Sequence, residues 1–191
     1  MPLAFVAAQH ARTFRDALSR VARFKRLCAP EEVSVKDFAD HGELVIRWPH
    51  GESEVAPRSL VDATMASFVE LGRRGTGERL APLSLELARP AASRSALERY
   101  FSCEIKFDTK VDCMAFRRED LDKLFITHNK ELLDVLAPEL DRRLRHHGAS
   151  DSVAEQTKWV LRRRLTAGRP DIRSVAAELA ICLLYTSDAA D

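Results

Sequence analysis

Arg162, Arg163 and Arg164, followed by Arg169, are the side chains whose type and spacing best suit a chemistry, that of holding phosphate. A guanidinium keeps its charge at any ordinary pH and presents a planar fork of donors to an oxyanion. These arginines belong to a basic stretch: from Arg142 to Arg169, eight Lys or Arg stand against Asp151 and Glu155, a local charge of +6. A solvated helical face has the same composition, so phosphate contact and plain solvation both stand at this point. No other group of residues converges on a reaction. There is no Gly-rich phosphate loop, no His-Glu-x-x-His and no Gly-x-Ser-x-Gly, which argues against an enzyme and assigns no catalytic residue, metal ligand or cofactor. His146 and His147 are adjacent, so on a helix they point apart and read as a solvated terminus rather than a metal site.

Helices must position the arginines. From Asn129 onward the pattern is purely helical, with Leu132, Leu136, Leu140 and Leu144 recurring every four residues, and Pro138 is expected to kink or split that helix. Residues 146–150 read as a linker. Ser152 and Glu155 then cap a helix with apolar face Val153, Val160, Leu161 and Leu165; it carries the arginine cluster and ends at Gly168. Pro170 suits the first turn of one more helix, in which Ile172, Val175, Ala176 and Leu179 fall at i, i+3, i+4 and i+7.

Upstream the periods change. Thr13 with Asp16 caps a helix whose stripe is Phe14, Ala17, Leu18, Val21 and Phe24. Val33 and Val35, then Leu44, Ile46 and Trp48, alternate around Asp40, His41 and Gly42 as a β-hairpin. A mostly buried helix is expected over 60–71, ending at Gly72, and Leu83, Leu85 and Leu87 form a strand. After a short helix capped by Ser95 with Glu98, residues 105–107 and 111–116 are expected to pair as a second hairpin. The fold class is therefore α+β, a largely antiparallel sheet of about five strands plus helices, followed by the first helices of an all-α domain.

Residues 182–191 resemble the in-frame translation of a transposase-type sequencing adaptor, codon by codon, and are set aside from fold reasoning as a scar. Without Asp188 and Asp191 the chain carries 30 basic and 27 acidic side chains, a charge of +3, too mild for a whole-protein argument for nucleic acid. Cys28, Cys103 and Cys113 remain, an odd number without a Cys-x-x-Cys pair, which suits a reducing compartment; Cys103 and Cys113 flank the expected second hairpin and could approach one another, but buried structural thiols are the commoner outcome there. The apolar stretch over residues 3–8 lacks a preceding basic region, and no run approaches a membrane span, so a cytoplasmic chain is expected.

The run from Ser152 to Leu179 resembles the opening of the DNA-binding domain of the AraC/XylS family of transcription regulators. There, a basic helix leads through Gly-x-Pro to the first helix of a helix-turn-helix; Gly168 and Pro170 stand at the Gly-x-Pro, and Ile172, Val175, Ala176 and Leu179 at the core of that helix. Upstream, the stretches 13–27 and 97–107, with Tyr100, Phe101 and Cys103 before a strand and Asp120 and Leu121 beyond it, resemble the arabinose-binding-like sensor of one subfamily. Pro138 departs from the pattern, as do Lys123, Leu124 and Phe125, where the family tends to carry proline. The resemblance implies a partial effector-sensing and dimerisation domain over 1–147, the start of a helix-turn-helix domain over 148–181, and a fragment truncated at both ends that lacks the recognition helices. Its implied partners are an unidentified small-molecule effector and, for the full-length protein only, DNA. The alternative is a stand-alone small-molecule-binding or dimerisation module that never acts on DNA. The effector residues are not identified: Trp48, Phe38, Phe68, Tyr100 and Phe116 suit a pocket, but ordinary core is the better reading of each. The four leucines 132, 136, 140 and 144 fit a homodimer seam and internal packing equally well.

Overall fold

A computed structural model of the chain describes residues 3–29, 31–48, 56–91, 94–149, 157, 160, 161 and 171–178. The chain divides into two compact units, Met1–Leu144 and Arg145–Asp191. Arg162, Arg163, Arg164, Arg169, Leu179 and residues 182–191 lie outside the described residues.

The first unit is α+β. Helix α1 (Leu3–Gln9) buries Ala4, Ala7 and Ala8, small residues that bring its backbone close to α2 (Phe14–Phe24). Thr13 caps α2: its hydroxyl accepts from the Asp16 N–H at 3.1 Å, while the Asp16 carboxylate accepts from the Arg12 N–H at 3.3 Å. The expected capping pair therefore forms, with its return bond one residue before the cap. All five stripe residues of α2 are buried. The hairpin strands β1 (Glu32–Asp37) and β2 (His41–Arg47) pair antiparallel, with Val33 opposite Ile46 and Val35 opposite Leu44.

Strands β3 (Ser84–Leu87), β4 (Glu104–Phe107) and β5 (Asp112–Arg117) complete a five-stranded sheet in the order β1-β2-β5-β3-β4. The expected second hairpin does not form. β4 lies parallel to β3, reached through helix α4 (Arg94–Phe101), and β5 returns between β2 and β3. The turn after β4 stays tied to the end of β3, since the Asp108 N–H donates to the Arg89 carbonyl at 3.0 Å and the Thr109 N–H to the Leu87 carbonyl at 3.2 Å. Crossing β3 in this way, the chain cannot fold β5 back onto β4. In the middle of the sheet, β5 is buried from Asp112 to Phe116.

Helix α3 (Arg58–Thr76) also departs from expectation: Gly72 is interior, and the helix runs on to a left-handed cap at Gly77, φ 74°. The glycines inside it serve close approach rather than termination. A Cβ at Gly72 would lie 2.9 Å from the Phe14 ring, and one at Gly75 would overlap the Phe125 ring. Helix α4 begins at Arg94, so Ser95 lies inside its first turn rather than at the cap. A short helix α5 (Arg118–Leu121) follows β5 directly.

Helix α6 (Lys130–Ala149) is a single helix that contains Pro138, and residues 146–149, expected as linker, continue it. Leu133 and Leu140 are buried with Ala4, Ala7 and Phe24, and Leu136 and Leu144 pack on the same cluster. The leucine repeat thus serves internal packing at three of its four positions. In the second unit, Ile172–Glu178 form helix α7, capped by Asp171, whose carboxylate accepts from the Ser174 N–H at 3.1 Å. No helix among the described residues is long and apolar enough to cross a membrane.

Candidate functional site

The ends of four strands and the starts of two helices meet at one corner of the sheet. Asp112, at the head of β5 and 4% exposed, accepts from Trp48 Nε1 at 2.5 Å and, with its other oxygen, from the Ala88 N–H at 2.9 Å. One buried carboxylate therefore joins the ends of β2, β3 and β5. Next in the chain is Arg89, 3% exposed. Its Nη2 donates to Asp62 near the start of α3, while its buried Nε has no hydrogen-bond partner. The Arg89 guanidinium lies 5.7 Å from the centre of the Phe107 ring, and that of Arg94 lies 5.0 Å from the same ring. Arg94 donates to the Ile105 carbonyl at 3.2 Å and pairs with Glu98 at 3.3 Å. A charge held out of water demands a partner; Arg89 has one for only part of its fork.

The opposite corner is an open depression of about 460 Å³ lined by Asp40, Arg117, Arg118, Glu119 and Asp122. Its charges are largely occupied with one another and with α2. Arg15 bridges Asp37 and Asp122, the latter at 2.9 Å, and Arg118 donates to the Ala39 carbonyl at 2.9 Å. This is a clamp between α2 and the hairpin turn.

A strap over residues 123–129 carries the chain from α5 to α6. The Phe14 N–H donates to the Lys123 carbonyl at 3.2 Å, Phe125 N–H to Arg12 at 3.0 Å, Ile126 N–H to Gly75 at 2.7 Å and Asn129 N–H to His10 at 3.2 Å. Phe125 points inward at 4% exposure, and Leu124 and Ile126 outward at 65% and 76%.

Of the expected helix-turn-helix core, Val175 and Ala176 are buried on α7, Ile172 at its start is 68% exposed, and Leu179 falls outside the described residues together with the four arginines. Among the aromatics weighed for a pocket, Phe68 and Phe116 are core and Trp48 holds Asp112. Phe38 and Tyr100 are not core: Phe38 is 45% exposed and stacks on His41 at 4.7 Å, and Tyr100, 40% exposed, donates to Glu70 at 3.0 Å. Sequence reasoning missed Arg89, Asp62 and Asp112, whose separation along the chain leaves no spacing signal. Among the described residues no group of His, Cys, Asp or Glu could hold a metal ion.

Cys103 and Cys113 are free thiols that burial, helped by nearby acids, pushes up to about 11. Glu104 and Glu98 act on Cys103, and Glu43 and Glu86 on Cys113. Near pH 8 only on the order of one in a thousand of each is thiolate, the reactive form. Iodoacetamide at that pH is expected to leave both unmodified in the folded chain, with labelling rising as the pH approaches 11. In concentrated denaturant both should label fast. Peptide mass mapping reads this out, and fast native labelling of Cys113 would contradict it.

The fold of the first unit is that of an α+β domain, and the sequence over 142–169 that follows it is basic. Residues 3–125 match the family described as the arabinose-binding domain of AraC transcription regulators, N-terminal. The chain belongs to this family. Among solved structures it is similar to the transcriptional regulator CdpR from Pseudomonas aeruginosa, with a TM-score of 0.61 and 18% identity over 94% of this chain. At that identity the likeness is one of fold. The chain spans 59% of that regulator's length. No curated protein matches the chain by sequence.

Proposed function

We propose that the chain is the effector-sensing part of a ligand-responsive transcription regulator, with residues 1–147 as sensor and residues 148–181 as the beginning of a helix-turn-helix domain. The observation that carries this is the family match over residues 3–125, joined to a basic segment that leads into α7. In this reading Ile172, Val175, Ala176 and Leu179 form the core of the first helix of that motif, and Arg162, Arg163, Arg164 and Arg169 touch phosphate. The site of action is the cytoplasm and the reaction catalysed is none. Homodimerisation belongs to the same reading and uses a surface other than the inner face of α6, which the first unit fills itself.

The four arginines of this reading touch phosphate, and phosphate contacts place a protein on DNA without reading its sequence. Binding to duplex DNA is therefore expected to be weak and indifferent to sequence. Four phosphate contacts give log K against log salt a slope of about −3.6, and Arg163→Ala lowers its magnitude by about 0.9. A fluorescence-anisotropy titration at several salt concentrations measures this. Binding that is absent even at low salt would favour a stand-alone small-molecule or dimerisation module, and tight sequence-selective binding would contradict the phosphate-only assignment.

A further inference from the structure

Arg89 is almost wholly buried and only partly used. Nε and Nη2 form one edge of its guanidinium, spaced to grip both oxygens of a single carboxylate. Asp62 engages that edge at Nη2 alone, and Nε beside it is buried without a partner. The two partners differ in exposure: the Arg89 side chain is 3% exposed and that of Asp62 35%, so water reaches the pair from the acid's side. Phe107 supplies an apolar wall 5.7 Å from Arg89, and Arg94, 53% exposed, adds a second cation on the same ring.

We propose that this corner binds a small organic carboxylate, which takes the Nε–Nη2 edge of Arg89 in place of Asp62 and lays its hydrocarbon body against Phe107. The exchange is like for like. One carboxylate leaves the guanidinium for water and another arrives from water, so Arg89 keeps one counter-charge throughout while the corner gains the ligand's negative charge, which Arg94 stands close enough to offset, and the incoming group gives Nε the partner it lacks. Asp62 sits on α3, whereas Arg89 follows β3, so occupancy releases the tie between helix and sheet at that point. Binding is thereby felt by the fold as well as by the ligand. The proposal deepens the sensor reading and rests on it for its purpose.

The test uses the full chain with Trp159→Phe, which leaves Trp48 as its single tryptophan. Trp48 reports on the corner because Asp112 joins its indole to the Ala88 N–H, next to Arg89. The probes are acetate, butyrate and hexanoate, with inorganic phosphate as the competing oxyanion. A saturable change in Trp48 emission is expected, tightening with alkyl length and absent with phosphate. Asp62→Asn removes the internal competitor, and if Asp62 holds the edge nine-tenths of the time, affinity rises about tenfold. Arg89→Gln should lose binding on the order of a hundredfold. Because that variant risks misfolding, the gain in Asp62→Asn is the decisive arm. No saturable response to any carboxylate, no tightening in Asp62→Asn, or a response to phosphate alone would each overturn the proposal. If any of these occurs while salt-dependent DNA binding persists, the site falls and the regulator reading stands.

Discussion

Phe14→Ala is expected to lower the stability of the first unit by about 3–5 kcal/mol. For a unit of this size that corresponds to a fall in Tm of roughly 10 °C or more. The ring is fully buried and serves three elements at once. It meets Phe116 of β5 edge-on at 4.9 Å and 83°, and stacks on Phe125 of the strap at 6.2 Å and 23°. It also packs against Gly72 of α3 closely enough to leave no room there for a methyl group. Removing it opens a cavity where helix, sheet and strap meet, none of which can close in without moving the others. Thermal unfolding followed by circular dichroism measures the cost. Phe38→Ala provides the contrast, because a ring 45% exposed should cost no more than about 0.5 kcal/mol. Equal losses from the two substitutions would refute the account of the core.

Glu31→Ala is expected to cost about 3–5 kcal/mol through a different cause. Lys25, in the 3-10 turn after α2, and Glu31, just before β1, form an ion pair whose side chains are 8% and 4% exposed. Truncating the acid leaves an ammonium out of water with no counter-charge. The double substitution Lys25→Met with Glu31→Leu removes both charges and keeps the volume, so it should recover most of the loss. Salt should barely alter the single-site cost, since ions screen a buried pair poorly. Urea unfolding of the two single variants and the double variant completes a thermodynamic cycle. Strictly additive losses would mean the two groups do not interact.

Period and turn chemistry made much of this fold legible. The α2 stripe, its Thr13 cap, the β1–β2 hairpin and β3 all announce themselves within a few residues, because local pattern alone decides which face is buried. The order of the sheet does not. Residues 104–117 look like a hairpin until the backbone bonds from Asp108 and Thr109 to the end of β3 are seen, and nothing nearby in sequence encodes those bonds. Gly72 resembles a stop signal because the Phe14 ring that requires it lies 58 residues earlier. The charged corner is harder still. Asp62, Arg89 and Asp112 come from α3 and from two strand ends, and only the completed sheet brings them together.

The strap between α5 and α6 is held by main-chain bonds to α2, α3 and the end of α1 and by the buried Phe125 ring, while Leu124 and Ile126 face outward, so its length is fixed more strictly than its exposed letters. Helix α6 turns inward at Leu133, Leu136, Leu140 and Leu144, a set fixed in angle by where the strap releases the chain. One residue inserted among 126–129 would rotate the whole helix by about 100° and advance it about 1.5 Å. The apolar stripe would then leave its seat on α1 and α2, and another face of the helix would turn toward it. Residues 123–129 thus set a phase, in the way a spacer sets the timing of two gears: substitutions at the outward-facing Leu124 and Ile126 keep it, and a single insertion or deletion resets which face α6 turns to α1 and α2.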